Sequence, residues 1–300
     1  MLSKSQKQFY NQNGYVVVKG LIPKEAIEVY INRFTDICSG KVKVSPLVML
    51  MRDVAINKNK TKQICNSDPE RVLTKMTNFH EDEVLWQYCQ QPEIIGGVQD
   101  LIGNGKSTIL AMNTMVINKP PDAGQLSSRH PLHQDLHYFP FRPADFICCA
   151  WTAMERITRA NGCLVVVPGS HKGPLLEHDY PEWKGAVNSV YHGIKAYSAD
   201  LNMVHLEMDT GDTVFFHPLL IHGSGANRTS GYRKAITGHF ANDDVCRYID
   251  YEDLTTKLAA KEFEEISKKV MKRFDADVKF TYHDFWRIRA KEISGVRSNL

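Results

Sequence analysis

The sequence predicts a mainly β fold, an antiparallel barrel or sandwich with flanking helices, and three observations carry that prediction. From about 109 to 240 the chain is a succession of short apolar runs of strand length, separated by turn residues. Helical periodicity is strongest on either side of that stretch. Strand and helix patterns do not alternate through it, which argues against βα units and a parallel sheet.

The clearest strand runs are 146–151, 163–167, 204–207, 213–217 and 235–240, with turns supplied by Asn161-Gly162, Pro168-Gly169 and Gly211-Asp212. Before them, Ile27, Tyr30, Ile31, Phe34, Ile37 and Cys38 follow helical spacing, with Pro23 suited to the first turn and Gly40 to the stop. After them, Leu254, Leu258, Phe263, Ile266, Val270 and Phe274 do the same, with Glu264, Glu265, Lys268 and Lys269 on the wet side. Both helices read as covers for a core. The chain carries no repeat, no low-complexity tract and no dividing linker, so residues 1–300 are expected to form one domain with a β core at about 109–240.

A formal net charge of +3 falls far short of a dedicated nucleic-acid-binding chain but suits an anionic small molecule. The seven cysteines include no C-x-x-C pair and no zinc-finger spacing, which fits reduced thiols in an intracellular compartment. The polar start lacks a secretory apolar region, and no apolar run approaches the ~18 residues of a membrane span. The last three residues, Ser298-Asn299-Leu300, loosely echo the S-K-L peroxisomal address.

The most informative motif is His133-Gln134-Asp135, followed 87 residues after Asp135 by His222 and 11 residues later by Arg233. If this motif lies on a strand, the His133 imidazole and the Asp135 carboxylate face the same way. A distant His222 would complete a facial triad of two histidines and one carboxylate, the set that suits redox-active iron(II) and leaves positions open for a co-substrate and dioxygen. Arg233 opens the strand after His222; were the two strands a hairpin, its guanidinium fork would lie near His222 and take a carboxylate bidentately. Ser224 can add a hydroxyl at the same end. His137 shares the expected strand parity, and His130, His217 and His239 also lie close in sequence to the proposed ligands, so periodicity alone leaves the distal ligand open between His222 and His217.

These blocks, together with Met51-Arg52-Asp53-Val54, Asn118-Lys119-Pro120-Pro121-Asp122, the run 128–142, Cys149 to Glu155, Asn161 to Val166 and Gly211 to Gly225, resemble the phytanoyl-CoA dioxygenase family of iron(II)/2-oxoglutarate oxygenases. The resemblance extends from about Phe9 to the C-terminus. It implies a double-stranded β-helix (jelly-roll, cupin-like) core, with iron held by His133, Asp135 and His222 and 2-oxoglutarate anchored by Arg233. It also assigns 2-oxoglutarate contacts to Lys75, Met115 and Trp151, with Ser224 a candidate beside Arg233. The first two have no signal of their own in the sequence, and Trp151 would otherwise read as core.

The implied reaction is hydroxylation of phytanoyl-CoA, a 3-methyl-branched acyl-CoA, at carbon 2, the first oxidative step of fatty acid α-oxidation. It consumes 2-oxoglutarate and dioxygen, with ascorbate in support. The implied location is the peroxisome, with the tail read by an import receptor, or otherwise the cytoplasm. Asp135 argues against a halogenase relative, in which a small non-ligating residue leaves room for halide. By their place in the sequence, Lys119, Arg129, Arg142 and Lys172 are candidates for coenzyme A phosphates, and Tyr138, Phe139 and Phe141 for an acyl channel. Competing readings are the same chemistry on another acyl-CoA or small metabolite, a catalytically silent metal-binding barrel, and a zinc hydrolase.

Overall fold

Two antiparallel sheets, built by alternating inward and outward side chains, carry the architecture of the computed structural model. It describes residues 1–54, 68–122, 124, 126–183, 187–197, 201–249, 257–271 and 281–293; Cys65, Leu254, Phe274 and the tail Ser298-Asn299-Leu300 lie outside them. In the major sheet the strands run in the order Tyr15–Val18, Thr213–Phe216, Ile147–Ala153, Arg233–Asn242, Ile109–Lys119, Leu73–Thr77 and Met49–Arg52, and Lys291–Ile293 also pairs with Ile109–Lys119. The minor sheet runs Val204–Leu206, Leu164–Val166, His222–Ser224 and His130–His133. All these pairings are antiparallel, as expected. The major sheet is wider than the expected 109–240 core, because strands from the first 80 residues and from 291–293 extend it.

Parity explains the layers. Along the major sheet Cys148, Ala150, Phe215, Ile236 and Phe240 face outward into a core with Ile27, Tyr30 and Phe34 of the helix Lys24–Cys38 and Ile94 and Val98 of the helix Pro92–Ile102. Each of the larger aliphatic and phenylalanine side chains buried there contributes about 1.5–3 kcal/mol relative to exposure. The alternate residues Cys149, Trp151, Val214 and Phe216 face inward and pack against Leu164, Val166 and Leu206 of the minor sheet. The C-terminal helices Lys257–Met271 and Tyr282–Arg289 cover a third cluster, in which Phe263, Phe285 and Trp286 meet Tyr138 and Phe139.

Four described α-helices lay outside the sequence expectation: Lys4–Asn13, Glu83–Trp86, Pro92–Ile102 and Tyr282–Arg289. Lys4–Asn13 is polar with Tyr10 as its one buried residue, so it has almost no apolar stripe; a capping box between Ser3 and Gln6 starts it. Pro92–Ile102 contains Gly96-Gly97, which weakens a helical reading. The structure needs Gly97 there, since a Cβ would lie 2.4 Å from the Phe215 ring.

The Asn161-Gly162 turn is present as expected, and its glycine is required twice over. Gly162 has φ +83°, and a Cβ would sit 2.4 Å from the Gly225 carbonyl oxygen. Gly162→Ala is expected to lower the unfolding free energy by about 2 kcal/mol or more in chemical denaturation; a loss under about 0.5 kcal/mol would show that the turn relaxes. A second expectation concerns acid. Burial lowers both His80 and His217 to about 4, with Arg289 and Lys291 adding to the effect at His80, while Asp145 partly opposes it at His217. The unfolded chain takes up these protons near ~6.5, so their contribution to stability is intact above that pH and is lost as pH falls from ~6.5 through 4. Urea midpoints measured across that window in metal-free protein are expected to fall with pH; a flat profile would contradict it.

Candidate functional site

The two sheets enclose one cavity and furnish it differently. From the major sheet come rows of alternate residues: Lys75 and Thr77, then Asn113, Met115, Ile117 and Lys119, then Cys149 and Trp151, then Arg233, Thr237 and His239. From the minor sheet and the turn after it come His133, Asp135, His222 and Ser224. Phe263, Ile266, Trp286 and Arg289 of the C-terminal helices close the wall.

His133 and His222 are direct cross-strand partners, with ring centroids 4.1 Å apart. His133 Nδ1 donates to the Pro131 carbonyl at 2.9 Å and His222 Nδ1 to the Leu220 carbonyl at 3.0 Å, which fixes both tautomers. The free Nε2 atoms then converge on Asp135 Oδ1, at 3.3 Å and 3.7 Å. Ligand atoms of these three residues all lie within 4.8 Å of one another and all three residues are buried. Burial depresses the His222 imidazole to about 4. Burial pushes the Asp135 carboxyl up, but His222, His239 and the hydrogen bond from His239 outweigh it and hold it well below the usual range. Imidazoles whose Nδ1–H is tied to a backbone carbonyl turn Nε2 toward the carboxylate, the arrangement a divalent metal requires.

The route to this geometry corrects the strand reading of H-x-D. The strand His130–His133 ends at the histidine, and Asp135 opens a 3-10 turn, Asp135–Tyr138. Beyond His222 the partner chain leads back to Pro218, which has no N–H for a ladder, and the Pro218 carbonyl instead accepts from Leu136 N at 3.0 Å. His137 therefore does not share strand parity with His133; its Nε2 bonds His192 Nδ1 at 2.9 Å. His217 bonds Asp145 at 3.1 Å and stays out of the triad. His130 stacks against His133 and Tyr191, each 4.2 Å between centroids.

The hairpin expected between His222 and Arg233 is absent, because their strands belong to different sheets and the connection between them crosses over. Arg233 reaches the same cavity from the opposite side. Its guanidinium is buried, Nη2 donates to the Gly162 carbonyl at 2.8 Å, and Nε and Nη1 have no partner. Trp151 lies under it, with 5.4 Å from Cζ to the ring. Met115 and Trp151 both stand opposite Thr237, and Lys75 sits over the Tyr191 ring at 4.9 Å.

Ser224 lies beside a lysine and not directly against Arg233. Its Oγ accepts from Lys119 Nζ at 2.7 Å, and the Gly225 carbonyl accepts from the same ammonium at 2.6 Å. Lys119 is thus buried at the Arg233 end of the cavity, not solvated at a mouth as its place in the sequence suggested. Burial and then the Arg233 charge push its ammonium well below the usual value. Arg142 spends Nη1 on the carbonyls of Phe139 and Phe141, at 2.9 and 2.7 Å. Arg129 lies 3.8 Å over the Trp183 ring, while Lys172 is exposed. Tyr138 and Phe139 line the cavity; Phe141 packs on Tyr248 instead.

Sequence reasoning missed a hydrogen-bonded chain behind the triad. His239 Nε2 donates to Asp135 Oδ2 at 3.0 Å, its Nδ1 accepts from Asn113 Nδ2 at 3.3 Å, and Asn113 Oδ1 accepts from Arg289. His239 shares strand parity with Arg233, a signal that could have found it. Nothing local in the sequence marks Asn113 or Arg289. With Oδ2 held by His239, Oδ1 is the oxygen left facing the two imidazoles.

Comparison with known proteins agrees with this geometry. Residues 10–235 match the family model described as phytanoyl-CoA dioxygenase (PhyH). A probable phytanoyl-CoA dioxygenase of Caenorhabditis elegans is 54% identical over 303 residues, covering 100% of this chain and 96% of the relative. The human protein named phytanoyl-CoA dioxygenase, peroxisomal, is 50% identical over 300 residues, covering 100% and 85%. Among solved structures, the epimerase SnoN in complex with Fe3+, alpha ketoglutarate and nogalamycin RO aligns with a TM-score of 0.60 at 18% identity over 86% of this chain and 88% of that one. EctD from S. alaskensis aligns with 0.58 at 13% identity over 80% and 77%. These two show a shared double-stranded β-helix fold, and the sequence relatives show the lineage: the chain belongs to the phytanoyl-CoA dioxygenase family.

Proposed function

We propose that this chain is an iron(II)- and 2-oxoglutarate-dependent oxygenase that hydroxylates phytanoyl-CoA at carbon 2, acting as a single domain in the peroxisome. The observation that carries the reading is one cavity holding both a buried His-Asp-His set with converging ligand atoms and a buried guanidinium with two unpartnered nitrogens. The residues fit both groups. Two imidazole nitrogens and one carboxylate oxygen suit iron(II) and leave positions open; Arg233, with Lys119 and Ser224 near it, suits the far carboxylate of a dicarboxylate. The names of the relatives supply the acceptor and the compartment, and Ser298-Asn299-Leu300 is the segment to test against an import receptor.

Bound iron(II) and 2-oxoglutarate together supply dioxygen activation, in which the oxoacid is converted to succinate and carbon dioxide and one oxygen atom enters a C–H bond of the acceptor. The chain's own part is to bind, orient and exclude water. His133, Asp135 and His222 would hold the metal, with His239 keeping Asp135 turned toward it. Arg233 and Lys119 would neutralise the far carboxylate, while Met115, Ile117 and Trp151 wall off its methylene segment. Tyr138, Phe139, Phe263 and Ile266 offer an apolar surface for a branched chain.

Anaerobic addition of iron(II) and 2-oxoglutarate is expected to give a metal-to-ligand charge-transfer absorbance that Arg233→Ala abolishes. Air and phytanoyl-CoA should then yield a product heavier by one oxygen. Absorbance without product would reject the acceptor and keep the chemistry; no absorbance would reject the oxygenase, and turnover without oxygen would point to a hydrolase. His239→Leu is expected to weaken iron(II) binding by about 10–100-fold, the scale for loss of a partner behind a ligand. Unchanged affinity in a direct metal titration would remove His239 from that role.

A further inference from the structure

A second guanidinium in the cavity has no function in the scheme above. Arg289 ends the helix Tyr282–Arg289 and is only 3% exposed. Its Cζ lies 4.6 Å from the Phe285 ring and 5.3 Å from the Trp286 ring, which pins the side chain against its own helix. Nη2 donates to Asn113 Oδ1, while Nε is buried without a partner. Trp286 Nε1 and Thr77 Oγ1, on two other residues of the cavity wall, are also buried without a partner. Asp135 is the one carboxylate among the described residues that line the cavity, against Lys75, Lys119, Arg233 and Arg289. A buried cation with unused donors calls for an oxygen-bearing ligand.

That ligand is not the far carboxylate of 2-oxoglutarate. Arg233 pairs with Lys119 and His239 with Asn113 on the same two strands, six residues apart, so Arg233 with Lys119 and Arg289 with Asn113 stand at different positions along that strand pair. The far carboxylate is already matched by Arg233 and Lys119, which leaves Arg289 for another oxygen. Arg289 also reaches Asp135 through just two intervening side chains, Asn113 and His239. An oxygen held by Arg289 would therefore sit on the triad's other flank.

Building on the proposed function, we propose that Arg289, supported by Trp286 and Thr77, binds the thioester carbonyl oxygen of the acyl-CoA. This makes it the residue that delivers the adjacent carbon to the metal. Held there by a charge-assisted hydrogen bond, the carbonyl presents carbon 2 to the triad while the branched chain lies on the apolar wall. Arg289 is thus a specificity residue for where along the chain the hydroxyl enters, separate from the residues that hold the co-substrate.

The test compares wild type, Arg289→Gln and the charge-retaining Arg289→Lys, each loaded anaerobically with iron(II) and 2-oxoglutarate. Phytanoyl-CoA and its S-alkyl thioether analogue, in which a methylene replaces the carbonyl, are titrated against the charge-transfer absorbance. Succinate and 2-hydroxyacyl product are then counted after air is admitted. Wild type should prefer the thioester by about tenfold or more, the scale of one hydrogen bond to a charged group. Arg289→Gln should keep the absorbance, lose that preference, and form more succinate per hydroxylated product, with partial recovery in Arg289→Lys. An undiminished preference in Arg289→Gln, no preference in wild type, or loss of the absorbance in Arg289→Gln would each overturn the assignment, the last by giving the guanidinium to the co-substrate or to the support of Asp135 through Asn113 and His239. Should Arg289→Gln fail to fold, the wild-type preference and its reduction in Arg289→Lys decide. Failure of the oxygenase reading looks different, as wild type itself would lack the absorbance.

Discussion

Asp135 sits in a cavity whose other charged lining residues, among those described, are all cationic. An ionised carboxylate there is tolerable only if its oxygens are both engaged, and the surrounding structure provides for each separately. Oδ2 is held by His239, and Oδ1 faces two imidazoles whose protons are directed to backbone carbonyls. The constraint spreads outward. The Pro131 carbonyl is offered by the strand two residues before His133 and the Leu220 carbonyl by the bend two residues before His222, and the 3-10 turn aims Asp135 inward where a continued strand would have kept the ladder.

The division of labour between the sheets follows from this. The minor sheet is short, and the ends of its strands His130–His133 and His222–Ser224, with the turn after the first, supply the triad. The major sheet has long, regular strands and presents every second residue, so it can space cations and aromatic walls at fixed intervals along 233–242 and 109–119. Precision at the triad comes from caps and a turn, whereas spacing along the cavity comes from the pleat.

Much of this was legible in the sequence where periodicity or local chemistry speaks. The helix Lys24–Cys38, the strands around 147–153 and 233–242, and the Asn161-Gly162 turn follow from apolar spacing and turn residues. The His-Asp-His set was visible as residue types in order, although the expected strand and hairpin geometry around it was wrong. What the sequence hid depends on tertiary contact. Lys119 looks like a surface lysine until Ser224 and the Gly225 carbonyl are folded onto it. Asn113 and Arg289 lie 176 positions apart and acquire meaning only when the C-terminal helix docks on the central strand. The helix Lys4–Asn13 is too polar to announce itself, and the glycine pair in Pro92–Ile102 masks a helix that packing against Phe215 requires.

The docking of 282–293 onto the strand Ile109–Lys119 also bears on biosynthesis. A nascent chain emerges in order, so both sheets can close, and the triad can assemble, while Trp286, Arg289 and the strand Lys291–Ile293 are still inside the ribosome. During that interval the inward rows of the major sheet have no C-terminal wall, and their apolar and cationic groups stand open to whatever is nearby. Sealing the cavity is then a late, long-range event in the life of each molecule, one that follows closure of the core sheets.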